Sequence, residues 1–148
     1  MRVEALVDSI VPVLRRRADE ANRPLVVDLA LDEPLEVEVD REAVERVLFN
    51  LVDNACKHGA DTADPTLRVE IRRRGDVVDL QVQDAGPGIP RALGNAVFEA
   101  FRRGDDTSGP GAGLGLALSR SLARELHGDL SLVPSDRGAC FRLSLRLS

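Results

Sequence analysis

Two cysteines, two histidines and one lysine stand among 148 residues that carry nineteen arginines. Cys56 and Cys140 lie far apart and in no metal-ligand spacing, which argues against a disulfide framework or a zinc module and leaves both as packing residues. Cys140 falls out of phase with Phe141, Leu143, Leu145 and Leu147, so partial exposure is expected of it. No apolar run approaches the ~18 residues that a membrane span needs. Met1-Arg2-Val3-Glu4-Ala5 lacks the apolar segment of a signal peptide, and a cytoplasmic setting is the default expectation. A basic excess is also missing: the net charge of −5 argues against a general nucleic-acid surface, and Arg15-Arg16-Arg17 reads as the solvated end of a helix. Neither an internal repeat nor a low-complexity tract divides the chain, so residues 1–148 are expected to form a single domain.

What is present is patterned. Leu6, Val7, Ile10, Val13 and Leu14 recur at helical spacing from Val3 to about Ala21, with Pro12 as a candidate kink and Asn22-Arg23-Pro24 as a stop. Leu25–Leu31 and the alternating Leu35–Val39 read as strands around Asp32-Glu33-Pro34, a plausible hairpin. Asp40 suits an N-cap for a helix whose Val44, Val47, Leu48, Leu51, Val52 and Ala55 define a buried face and which Gly59 ends. Strands at about Leu67–Arg73 and Val77–Asp84 flank Gly75-Asp76. A helix from about Gly113 to His127 places Leu114, Ala117, Leu118, Ser121, Leu122 and Leu126 on one side and closes at Gly128; Leu130–Val133 and Ala139–Leu147 make a last strand pair. Three main helices and about six strands with hairpins imply an α+β two-layer sandwich rather than a doubly wound parallel sheet.

Three constellations can carry chemistry. Asn50, Asn54 and Lys57 share one helix face at i, i+4 and i+7. Such a stripe can be mere solvated surface, but asparagines add nothing to helix stability. An amide oxygen can ligate Mg²⁺ when phosphates bring the negative charge, and lysine suits phosphate as a point charge. Asp84 opens Ala85-Gly86-Pro87-Gly88-Ile89, which reads either as a tight turn or as a carboxylate that accepts from an exocyclic amine while Ile89 covers a ring. Gly109-Pro110-Gly111-Ala112-Gly113-Leu114-Gly115-Leu116 precedes a helix, where free amides and the dipole favour an anion, although a flexible loop is the plain alternative. It matches neither a Walker loop nor the dinucleotide fingerprint.

In this order the three motifs resemble the ATP-binding (Bergerat) fold shared by sensor histidine kinases, DNA gyrase, Hsp90 and MutL, most closely the histidine kinase catalytic domain. Phe98-Glu99-Ala100-Phe101-Arg102-Arg103 is similar to the kinase phenylalanine box, and Gly138-Ala139-Cys140-Phe141 to the family's last glycine motif. The resemblance implies a mixed, mostly antiparallel sheet on about three helices. It implies that Asn54 holds Mg²⁺ with Asn50 in support, that Lys57, His58 and Arg103 meet the ATP phosphates, and that Asp84, with Gly86, Gly88 and Ile89, binds adenine. Gly111, Gly113, Leu114, Gly115 and Leu116 would line the phosphates, with a lid from about Arg102 to Gly111. Where hydrolysing relatives carry a glutamate resembling a general base, this chain has Asn50, which cannot accept a proton. Neither His58 nor His127 fits the phosphoacceptor motif of the family. The resemblance therefore implies a γ-phosphoryl donor acting on a histidine of a separate dimerisation domain, with a response regulator downstream and a monomeric isolated domain. The alternatives are a degenerate nucleotide-binding regulatory module and, third, an ATP hydrolase.

Overall fold

The architecture is that of a computed structural model, which describes residues 1–58, 64–85, 112–133 and 138–148. Among these, three helices, α1 (Val3–Glu20), α2 (Arg41–His58) and α3 (Ala112–Glu125), accompany five strands: β1 (Leu25–Ala30), β2 (Leu67–Arg74), β3 (Val77–Gln83), β4 (Asp129–Val133) and β5 (Cys140–Arg146). The sheet runs β1-β2-β3-β5-β4, with β1–β2 parallel and every other pair antiparallel, so the mixed, mostly antiparallel sheet is as expected.

Alternation assigns each sheet face its role. Leu67, Val69 and Ile71 of β2, Val78, Leu80 and Val82 of β3, and Phe141, Leu143 and Leu145 of β5 are buried beneath the helices. Burying each such side chain contributes about 1.5–3 kcal/mol. From α1 come Val3, Leu6, Val7, Ile10, Leu14 and Ala18, at helical spacing; from α2 come Val44, Val47, Leu48, Leu51, Val52 and Ala55. Pro12 lies within α1 at an exposed position, and the helix continues through it. Asp40 caps α2 as expected, its Oδ1 accepting from the Glu42 N–H at 3.0 Å.

Three expectations are corrected. Leu35–Val39 does not form a hairpin with β1, which pairs instead with β2; among the described residues the segment makes single bridges, Arg2 to Glu36 and Val37 to Leu147. Its alternation is nonetheless physical, because Leu35 and Val37 are buried. On α3 the inward residues are Leu116, Ser119 and Ala123, while Leu118 is 59% exposed, so the buried face is rotated from the expected one.

Two helices end where the sequence places their stops, each through a left-handed residue. In α3 the left-handed residue is His127 (φ 59°), and Gly128 donates to the Ala123 carbonyl at 2.9 Å in a Schellman turn. Gly128 is required one step later, where a Cβ would meet the Ser144 carbonyl oxygen at 2.0 Å. Asn22 (φ 57°) ends α1 in the same manner, with Arg23 N–H donating to Ala18.

Cys140 is the third correction. It points to the open sheet face but is only 3% exposed, its thiol donating to Gln81 Oε1 at 3.5 Å. Burial pushes this thiol up to about 11, and burial also raises that of Cys56. Iodoacetamide at neutral pH is expected to leave both thiols unmodified in the native protein and to alkylate both in denaturant; rapid stoichiometric native labelling would contradict the burial.

Candidate functional site

Strand order brings the described parts of the three constellations to one end of the sheet. Gln83, the last residue of β3, pairs with Arg68 near the start of β2 and with Cys140 at the start of β5, so Asp84 emerges between these two strand beginnings. The C-terminal turn of α2 reaches the same end through Arg23, a buried arginine. Its Nη1 donates to the Ala55 carbonyl (2.8 Å) and its Nε to the Pro65 carbonyl (3.0 Å), two residues ahead of β2. The remaining Arg23 nitrogen, Nη2, is buried without a hydrogen-bond partner among the described residues. The C-terminus of α3 turns through Gly128 into Asp129, which pairs with Ser144 at the far end of β5; the α3 N-terminus therefore lies toward Asp84.

Asp84 is held in place from two directions. Its N–H donates to the Ala139 carbonyl and its Oδ1 accepts from the Ala139 N–H, both at 3.1 Å, extending the β3–β5 ladder by one residue. Gly138, at φ 65°, packs on it so closely that a Cβ would sit 2.2 Å from the Asp84 carbonyl oxygen and 2.4 Å from Oδ1. Asp84 is 7% exposed and lines a cleft of about 190 Å³ together with Asp64, Thr66, Arg68, Gln83 and Ala85. A carboxylate with one oxygen engaged by the backbone is oriented, and each carboxylate oxygen can accept more than one hydrogen bond.

Asn50 ties α2 to α3. Its Nδ2 donates to Ser119 Oγ at 2.9 Å, and Ser119 is fully buried, so a polar contact rather than an apolar one fixes the facing of α3. This leaves the Asn50 Oδ1 for a second partner. The Asn54 amide, half-buried, has no hydrogen-bond partner among the described residues, which suits an oxygen kept for a cation. Among the described residues there is no cluster of three or more histidines, cysteines and carboxylates that could hold a metal ion.

Lys57 is 59% exposed and pairs with Asp53 Oδ2 at 3.1 Å, while Arg17 of α1 donates to Asp53 Oδ1 at 2.8 Å. Burial pushes the Asp53 carboxyl up, but hydrogen bonds from Arg17 and Lys57 outweigh it and hold the group below its ordinary value. The bond to Asp53 raises Arg17 correspondingly.

Gly113, Leu114 and Gly115 lie in the first turn of α3, and the Leu116 side chain is in the core. His58 is the last residue of α2. Gly86, Gly88, Ile89, Arg103 and Gly111, with the phenylalanine box and the lid, lie outside the described residues. Sequence reasoning missed Ser119 and Arg17, whose signals as a helical serine and one of many arginines are weak. It passed over Gly138 and Ala139 as site residues although their motif had been singled out.

Known proteins share this fold. Residues 39–148 match the family described as histidine kinase-, DNA gyrase B- and HSP90-like ATPase. The chain is 37% identical over 123 residues to the sensor protein KdpD of Escherichia coli K12, covering 80% of this chain and 13% of that protein. It is 36% identical over 150 residues to the sensor histidine kinase MtrB of Mycobacterium leprae, covering 98% of this chain and 26% of MtrB. The chain thus spans a minor part of the length of these relatives. Among solved structures, the mycobacterial sensor histidine kinase MprB superposes with a TM-score of 0.80 at 26% identity, over 99% of this chain and 97% of that one. Full-length ShkA in complex with AMPPNP, at 23% identity and a TM-score of 0.81, shares the fold over 100% of this chain and 30% of its own. No described helix is long and apolar enough to cross a membrane. The chain belongs to the histidine kinase-, DNA gyrase B- and HSP90-like ATPase family, and within it to the catalytic domains of the sensor histidine kinases.

Proposed function

We propose that residues 1–148 form one catalytic unit that binds Mg-ATP and donates its γ-phosphoryl to a histidine on a separate helical dimerisation domain, for onward transfer to a response regulator. The observation that carries the reading is the oriented, buried Asp84 carboxylate on an open cleft, at the sheet end shared by the Asn50, Asn54 and Lys57 helix and the glycine-rich start of α3. In this reading Asp84 accepts from adenine N6, and Lys57 and the α3 amides neutralise phosphate charge. His58, Arg103 and Gly111 are assigned to the phosphates as well, and Gly86, Gly88 and Ile89 to the base. Asn54, with Asn50 in support, would hold a Mg²⁺ ion, which when bound would supply charge compensation for the phosphates. The chain's own contribution is positioning and electrostatic compensation. The AMPPNP complex of ShkA, which has the same fold, supports a nucleotide ligand. The ATP-hydrolase reading is disfavoured because the Asn50 amide, bonded to Ser119, cannot act as a general base. A cytoplasmic location and a monomeric isolated domain complete the proposal.

Calorimetric titration with ATP, with and without Mg²⁺ and with ADP release followed in parallel, tests it. Mg²⁺-dependent binding with negligible turnover is expected, and a supplied histidine-bearing dimerisation domain should become phosphorylated. Asn54→Ala is expected to abolish most of the Mg²⁺-dependent gain in affinity while sparing Mg²⁺-free binding. Binding without transfer would favour the degenerate regulatory module; equal loss in both conditions would remove the metal role of Asn54.

A further inference from the structure

Arg17 belongs to α1, a helix that supplies none of the expected nucleotide ligands, yet it reaches across to α2, which carries four of them, Asn50, Asn54, Lys57 and His58. We propose that Arg17 is a positioning residue for the Lys57 ammonium, acting through Asp53. The inference rests on the nucleotide reading above, in which Lys57 meets phosphate. At about 100° per residue, Asp53 and Lys57 lie roughly 60° and 20° to one side of Asn50, and Asn54 lies about 40° to the other. Asp53 therefore sits on the α1 flank of the polar face, with Lys57 between it and Asn50.

The carboxylate divides its oxygens: Oδ1 accepts from Arg17 Nε at 2.8 Å and Oδ2 from Lys57 Nζ at 3.1 Å. The Arg17 and Asp53 side chains are 19% and 26% exposed, whereas that of Lys57 is 59% exposed. The buried side of this triad is thus the guanidinium–carboxylate contact, and the mobile side is the ammonium on its four-carbon stem. Arg17 has two effects. It fixes the Asp53 rotamer, so Oδ2 offers the ammonium one resting place beside Asn50. It also takes up part of the carboxylate's charge, so that Lys57 is guided rather than captured and remains attractive to phosphate. Without Arg17 the full Asp53 charge falls on Lys57, which competes with the nucleotide. The backbone is held independently from the same end of α1: Arg23 bonds the Ala55 and Pro65 carbonyls, so loss of Arg17 leaves the last turn of α2 anchored.

The test is a double-variant cycle on the full chain, with ATP and adenosine as probes and melting temperature as a fold control. Arg17→Gln is expected to weaken ATP binding by about three- to tenfold. Adenosine, which has no phosphates, should bind as to the parent, and Arg17→Lys should recover part of the ATP affinity. In a Lys57→Ala background Arg17→Gln should have no further effect. Equal losses for ATP and adenosine, or losses that simply add in the double variant, would overturn the positioning role and leave Arg17 a structural residue. A strong Lys57→Ala defect with no Arg17→Gln defect would sink this proposal alone. An ATP affinity unchanged by Lys57→Ala would sink the phosphate assignment and the proposal with it. Failure of the parent chain to bind ATP would overturn the nucleotide reading itself.

Discussion

Asp84→Asn should bind ATP about 10- to 150-fold more weakly than the parent while melting within a few degrees of it. The substitution is nearly isosteric, and the oxygen of the introduced amide would keep the Ala139 N–H bond that Asp84 makes at 3.1 Å. The change falls on the other atom, where an amide N–H₂ would face the amine of the base, donor against donor. A hydrogen bond to a charged group contributes about 1.5–3 kcal/mol, and each 1.4 kcal/mol is about tenfold in affinity. Desolvation of the opposed donors would add to this. Calorimetry with ATP and a thermal melt, run on the same preparation, separate the two effects. Unchanged affinity would remove Asp84 from the base pocket, and collapse of the melt would make its role structural.

Gly138→Ala is expected to damage both fold and binding. A residue with a Cβ in the left-handed region costs about 1–2 kcal/mol, and here the added carbon would lie 2.2 Å from the Asp84 carbonyl oxygen and 2.6 Å from its carbonyl carbon. These are backbone atoms at the end of a ladder, and they can yield only by opening the Asp84–Ala139 pair. The expected result is a melting temperature lower by about 5–10 °C, since about 1 kcal/mol corresponds to 2–4 °C at this chain length. A loss of ATP affinity should accompany it, because Asp84 is displaced from its cleft. A variant that melts and binds like the parent would show that the contact relaxes without consequence.

Periodicity made much of this molecule legible, and its failures have definite causes. In α2 one clean apolar stripe and a capping aspartate agree, and both are observed. In α3, Leu114, Leu116, Ala117, Leu118, Leu122 and Ala123 surround much of the helix, so spacing alone does not choose a face. The choice is made by Asn50 and Ser119, a contact across 69 residues of chain. Leu35–Val39 alternates because one side is buried, and burial needs no ladder; the partner of β1 is decided by the crossover through α2. Cys140 alternates as a surface residue, but cross-strand neighbours cover it. At the site, residue types singled out Asn50, Asn54, Lys57 and Asp84 as candidates, whereas Ser119 and Arg17, which reach Asn50 and Asp53 from distant segments, have no local signature.

Both ends of the chain converge on one short segment. The Met1 ammonium donates to the Val37 carbonyl at 3.0 Å, and the Ser148 N–H to the Glu36 carbonyl at 2.9 Å. Leu147 donates to the Asp76 carbonyl, at the turn between β2 and β3, whereas Asp84 follows the opposite end of the seven-residue β3. At a rise of about 3.3 Å per residue, roughly 20 Å of strand separates them. The two termini and the Asp84 cleft therefore occupy opposite ends of the sheet. Polypeptide joined at either terminus would enter and leave at one spot, as in domains that tolerate insertion into a host chain, and the cleft pole would stay open to a visiting substrate.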